Sequence, residues 1–440
     1  MIPSARIYLD YAAATPILSE VWTVFEYASK ELWANPNGIH HESQKASAAI
    51  EQARVEIAKI INCKAKELTF TASATESNNL AIQGLVKSVL CQTMSFRPTG
   101  EIYSSNSAKI SHFVRNDTSE VNSSVRIKPH ILLSPIEHPS VLNTVEILLE
   151  EGSLDFDFLK IDNGGLIDLE RLEKQILPET VLISIIWVNN EIGTIQPIQE
   201  IATKLKDINQ NRTLQNLPKV LLHVDASQAF LFQKVDLKAL KIDLMTLSGH
   251  KMYAPRGTAL LYIKDGVKIR SNIGGGGQES GLRSGTQNTA GILVLAKAME
   301  IADSKRDEYK NQIALLQEYI FQKLNEKNQN QNSNLFNLVK VNGIVGISRV
   351  ENNVNFSLKN IDHQTLHTAL DLAGFALSGG SSCSSGSLET SSVIQAIRKA
   401  AGENIPEIEA TFRITLGLYN TKEDIDKFFE VLEVIVGRLK

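Results

Sequence analysis

Cysteine is scarce in this chain. Three residues in 440, Cys63, Cys91 and Cys383, cannot form a disulfide framework, which points to a reducing compartment. Basic residues show no excess: 45 Lys+Arg stand against 49 Asp+Glu, a net charge of −4. That balance argues against a nucleic-acid surface, which needs a clustered Lys/Arg excess. Long apolar runs are missing too. The longest, 181–188, is strand length, far below the ~18 residues of a membrane span. Residues 1–6 hold no apolar stretch of signal-peptide length, so a cytoplasmic protein is expected. No internal repeat is visible. With 43% hydrophobic and 21% charged residues, the composition is that of a globular protein. At roughly 100–200 residues per domain, the length predicts two or three domains.

Helical and strand-like stretches alternate through 17–300. Apolar residues recur at helical spacing in 42–60, 139–151 and 197–206. Short apolar runs at 68–70, 131–133, 181–188, 220–224, 244–247 and 259–263 read as strands. Strands alternating with helices predict an α/β fold with a mostly parallel sheet covered on both faces. Ligands bind such sheets beyond the carboxyl ends of the strands. From about 305 the texture changes. A long helical pattern at 305–326 precedes an Asn/Gln-rich patch at 328–334 and strand-like pieces such as 354–358. An amphipathic helix at 421–439 closes the chain, with Thr421 and Asp424 suited to its start. This predicts a large domain, 15–304, and a smaller α+β domain, 1–14 plus 305–440. Residues 92–130, rich in Ser and Asn, read as an insertion.

Several residues could carry chemistry. Lys251 follows a strand in Ser248-Gly249-His250-Lys251, where a lysine could form a Schiff base with a carbonyl cofactor or simply be solvated. Asp225 ends a strand, placed either to pair with the protonated ring nitrogen of pyridoxal phosphate or to cap a helix. Thr71–Ser77 reads Thr-Ala-Ser-Ala-Thr-Glu-Ser before a helical stretch starting near Asn78, which suits a phosphate cradle or a plain cap. His138 could stack on a cofactor and move protons. Cys383 is displayed in a Ser/Gly-rich string, 378–387, unlike the more structural contexts of Cys63 and Cys91. A displayed thiol there suggests a nucleophile; an incidental Cys in a linker is the alternative. Arg413 alternates with apolar neighbours and needs a carboxylate partner, from substrate or from an internal Asp or Glu. The Gly274–Gly277 run before Arg283-Ser284-Gly285-Thr286 could meet an anion. His363 and His367 lack a third metal ligand and read as a surface helix face.

Together these stretches resemble the NifS/IscS-type cysteine desulfurases, class V, fold-type I pyridoxal-phosphate enzymes. The resemblance rests on Tyr8-Leu9-Asp10-Tyr11-Ala12-Ala13-Ala14-Thr15-Pro16, Asn35-Pro36, Glu137-His138, Asn189-Asn190-Glu191, His223-Val224-Asp225 and the Lys251, Cys383 and Arg413 strings. It implies that Lys251 holds pyridoxal phosphate and that Asp225 faces the ring nitrogen. His138 would stack on the ring as acid/base, Gln228 would contact its hydroxyl, and Asn190 would orient cofactor or substrate. Ala74, Thr75, Ser248 and His250 would hold the phosphate, joined by Thr286 of a neighbouring subunit in a homodimer. Arg413, assisted by Asn35, would grip the carboxylate of L-cysteine. Cys383 would take the sulfur as a persulfide and pass it to an acceptor protein for iron–sulfur assembly or thiolation. No metal, membrane or nucleic-acid partner is expected. Ser73, Gly379 and Ser382 are small-for-small departures from the family pattern, and the tail after Arg413 is shorter than in the IscS branch. Two rivals stand beside this reading: another class V reaction, such as a selenocysteine lyase or aminotransferase, and a degenerate scaffold without catalysis.

Overall fold

The computed structural model describes residues 6–95, 128–379, 391–404, 406 and 408–440. Its strands are β1 (Ile7–Tyr8), β2 (Leu68–Thr71), β3 (His130–Leu133), β4 (Asp155–Phe158), β5 (Thr180–Ile186), β6 (Leu221–Asp225), β7 (Leu244–Ser248), β8 (Ala259–Ile263), β9 (Val339–Val341), β10 (Asn353–Lys359), β11 (Phe375–Ala376) and β12 (Glu409–Thr415). Seven form one sheet in the order β2-β8-β7-β6-β5-β3-β4. Only β8 runs against its neighbours; the other pairs are parallel.

Both faces of this sheet are covered, which is why its strands read as unbroken apolar runs. Every residue of β5 is buried. Ile131 and Leu133 pack with Leu80, Val141 and Val145 on one face, whereas Leu132 joins Ile183, Leu222 and Met245 on the other. Helix Ala74–Ser95 lies against Pro139–Glu150, and helices Ser19–Glu31 and His41–Ile60 pack against Thr289–Ser304. Among the described residues, no helix is long and apolar enough to cross a membrane.

The C-terminal third builds a separate antiparallel sheet, β12-β10-β9. The N-terminal β1 pairs in parallel with β11. Helix Lys422–Leu439 starts at the predicted capping box, Thr421 with Asp424, and buries Ile425, Phe428, Phe429, Leu432 and Val436.

Four expectations need correction. The helix expected near Asn78 begins at Ala74, because Ser73 accepts from the Glu76 amide and caps it. Of the insertion read at 92–130, residues 92–95 still belong to that helix and His130 opens β3, while 96–127 lie outside the described residues. β4 was missed: its acidic, mostly exposed pattern is that of an edge strand. His363 and His367 are half-buried rather than surface residues, stacked on Phe412, with His367 bonded to the Leu377 carbonyl.

A buried ion pair fastens the segment after the glycine run to β2. Glu279 accepts both terminal nitrogens of Arg54 at 2.9 Å and the Phe70 amide at 3.0 Å. Glu279→Ala would leave the buried guanidinium only the exposed Glu51 carboxylate and the Leu68 carbonyl, so we expect a loss of about 3 kcal/mol, read from the urea midpoint at constant m-value.

Candidate active site

Five of the expected residues sit just past the carboxyl ends of parallel strands, where an α/β sheet opens to ligands. Asp225 closes β6, Lys251 lies in the turn Gly249–Lys251 after β7, and His138 caps the helix after β3. Ala74 and Thr75 open the helix after β2.

A hydrogen-bonded chain links two of them. Asn78 Nδ2 donates to Asp225 Oδ2 and to Ser140 Oγ, both at 2.8 Å, and Ser140 Oγ lies 2.8 Å from His138 Nδ1. Asp225 is 3% exposed, and its other oxygen accepts the Ser227 amide at 2.9 Å. Its partners are thus all neutral, although a buried carboxylate normally has a cation. Burial depresses the His138 pKa and the Lys251 charge adds to this, outweighing the opposing Asp225 charge, so the imidazole is neutral near pH 7. His250, bonded to Ser248 Oγ at 2.9 Å, is pushed down to about 4 by burial and by the charges of Lys251 and Arg256. Glu137 is driven well up by burial and by Asp225; its carboxyl accepts the Ile186 amide at 2.5 Å.

The N-terminal segment joins this edge to the second sheet. Lys251 Nζ donates to the Ala12 carbonyl and, at 2.8 Å, to that of Ala13. Gln228 Nε2 donates to Ala12 O at 2.7 Å. Two residues earlier, Asp10 Oδ1 accepts Arg413 Nη2 at 2.5 Å, while Nη1 donates to Asn190 O at 3.2 Å. Arg413 is 1% exposed. Its internal carboxylate, one of the two partners the sequence left open, is therefore Asp10.

Some expected residues stand apart. Asn35 is exposed and its side chain accepts from the Asn37 amide, not from Arg413. Thr286 is exposed on its loop, while nearby Arg283 pairs with Glu76 at 2.8 Å. Cys383 lies outside the described residues. Among those described, no group of three or more His, Cys, Asp or Glu could hold a metal.

Comparison with known proteins gives the family. The family model for aminotransferase class-V covers residues 7–107 and 102–428. The cysteine desulfurase IscS of Dictyoglomus turgidum is 36% identical over 438 residues, spanning 99% of this chain and 95% of that protein. The chain is a member of the cysteine desulfurases of the NifS/IscS type. Among solved structures, a NifS-like protein superposes with a TM-score of 0.80 at 30% identity, covering 99% of this chain and all of the other. A second, SspA in complex with cysteine, gives 0.68 at 30% identity, covering 94% and 99%.

Within this desulfurase, sequence reasoning missed the residues that connect the others. Asn78 lies one helical turn after Ala74, facing inward from the helix, and is fully buried. Ser140 is two residues after His138, where its hydroxyl meets the ring that caps the same helix. Both are polar residues at positions the helical spacing turns inward, a pattern that signals a need for partners without naming them.

Proposed function

We propose that this chain is a pyridoxal-phosphate-dependent cysteine desulfurase, which converts L-cysteine to L-alanine and leaves the sulfur on Cys383 as a persulfide. The carrying observation is Asp225: a buried carboxylate with only neutral donors, tied through Asn78 and Ser140 to a neutral His138, on the sheet edge that also bears Lys251. This donor set fits pyridoxal phosphate. The carboxylate suits a protonated ring nitrogen, the amine a carbonyl carbon, and the amides of Ala74 and Thr75 at a helix N-terminus an anionic phosphate.

When bound, pyridoxal phosphate supplies an electron sink that weakens bonds at the Cα and Cβ of the amino acid. Lys251 would hold it covalently and serve as a proton carrier beside the substrate. Asp225 would keep the ring nitrogen protonated, and His138, neutral near pH 7, would stack on the ring and accept or return a proton. Gln228 would meet the ring hydroxyl and Asn190 would orient the reactants. Ser248 and His250 would share the phosphate with Ala74, Thr75 and a second copy's Thr286. Arg413, aimed by Asp10 and the Asn190 carbonyl, would take the substrate carboxylate, with Asn35 assisting. The Cys383 thiolate would form an S–S bond with the substrate sulfur as the Cβ–S bond breaks; Cβ then takes a proton and alanine leaves.

A homodimer is supported by exposed Thr286 and by solvent-facing apolar side chains between residues 22 and 39, including Trp33 at 74% and Ile39 at 96% exposure. Domains of 15–304 and of 1–14 plus 305–440 are supported by the separate sheets and by the β1–β11 pair. The final acceptor would be a protein that takes sulfur from the persulfide, and cysteine usage favours a reducing cytoplasm. Incubating the purified chain with pyridoxal phosphate, L-cysteine and a thiol reductant should yield alanine and sulfide in equal amounts. A colourless protein that retains no cofactor and forms no alanine would overturn the reading.

A further inference from the structure

We propose that His138 meets the reactants as a hydrogen-bond donor, its proton held on Nε2 and its Nδ1 closed to proton transfer. This rests on the desulfurase reading above and narrows it. Of the two directions open to His138 there, only donation remains, and proton transfer at the substrate falls to Lys251.

The tautomer is set at a helix end. His138 is the N-cap of Pro139–Glu150. Pro139 has no amide hydrogen, so the first donor needing a partner is the Ser140 amide, which donates to His138 Nδ1 at 3.1 Å. An amide N–H can only donate, so Nδ1 presents its lone pair. An imidazole with a bare Nδ1 carries its proton on Nε2, and an imidazolium would turn a second N–H against the amide. The Ser140 hydroxyl agrees. As a carboxylate, Asp225 Oδ2 only accepts, which turns Asn78 Nδ2 toward it, and the same Nδ2 donates to Ser140 Oγ. The hydroxyl is thus free to direct its own hydrogen at His138 Nδ1, 2.8 Å away. Asn78 and Ser140 are both buried. Burial also depresses the His138 pKa, against the Asp225 charge and together with that of Lys251.

A base at Nε2 needs a lone pair, which this tautomer lacks there. Giving up the proton of an uncharged imidazole would leave an imidazolate, which is too costly near neutral pH. What the ring offers is a fixed N–H dipole. It stabilises charge developing on an electron-rich atom of the bound reactants, and no proton changes hands.

Isotope-labelled histidine tests it. Long-range proton–nitrogen correlations are recorded on the cofactor-free protein and on the protein loaded with pyridoxal phosphate. The His138 signals, assigned by their loss in His138→Asn, should show a protonated Nε2 and a bare Nδ1 in both. A protonated Nδ1 overturns the inference. Kinetics give a second measurement. His138→Gln keeps an amide N–H near the place of Nε2 and has nothing that titrates, whereas His138→Asn caps the helix but places its amide near Nδ1. We expect kcat for alanine formation to fall about tenfold in His138→Gln and about a hundredfold in His138→Asn. A His138→Gln variant no more active than His138→Asn overturns the inference. Should His138→Gln fail to fold for want of its cap, the tautomer measured in the wild-type protein decides. A protein with His138 protonated on Nε2 that makes no alanine overturns the desulfurase reading instead.

Discussion

Replacing Lys251 by alanine is expected to abolish alanine formation from L-cysteine, a fall on the order of a thousandfold or more, and to leave a protein that loses its cofactor on dialysis. The residue ends a short turn behind β7, with its amine directed at the Ala12 and Ala13 carbonyls. The turn itself is set by backbone bonds, Met252 and Ala254 donating to the Gly249 carbonyl, so the variant should fold. Lys251→Arg separates charge from covalent chemistry. A guanidinium keeps the positive charge but cannot condense with an aldehyde, so Lys251→Arg should be equally inactive. Turnover in Lys251→Arg within tenfold of wild type would show that the amine serves only as a charge.

Cys383→Ala is expected to stop sulfide release and persulfide formation completely while the cofactor absorption stays unchanged. Burial pushes the Cys63 thiol up to about 12, so it is almost entirely protonated at neutral pH and a poor nucleophile. Cys91 sits within helix Ala74–Ser95, on an element that packs against Pro139–Glu150. Mapping the persulfide by mass spectrometry should therefore find it on Cys383, and Cys63→Ala and Cys91→Ala should turn over cysteine as wild type does. Undiminished sulfide release by Cys383→Ala would refute the assignment. Conversion of cysteine to a keto acid in that variant would instead favour an aminotransferase.

Part of this site is legible in the sequence. Lys251, Asp225, His138 and Ala74 each stand next to a short apolar run, and the sheet rule says where such neighbours meet. The residues joining them were not legible. Asp10 and Arg413 are 403 positions apart, and Gln228 finds Ala12 across 216. Nothing in either neighbourhood names the other. Asn78 and Ser140 were hidden differently. A polar residue at a buried helical position marks a need for partners without saying which.

The chain's local patterns determined its elements: strands from β-branched apolar runs, helices from apolar spacing and their caps, as in the Thr421–Asp424 start. These depend on neighbours a few residues away, so they are written in order along the sequence. Tertiary structure alone decided that β8 would insert antiparallel between β7 and β2, and that β1 would join β11. It also decided that the N-terminal segment would carry Asp10 to Arg413 and the Ala12 carbonyl to Lys251. Such pairings are chosen by which surfaces bury the most apolar area with every polar group satisfied, a property of the whole assembly rather than of any one stretch.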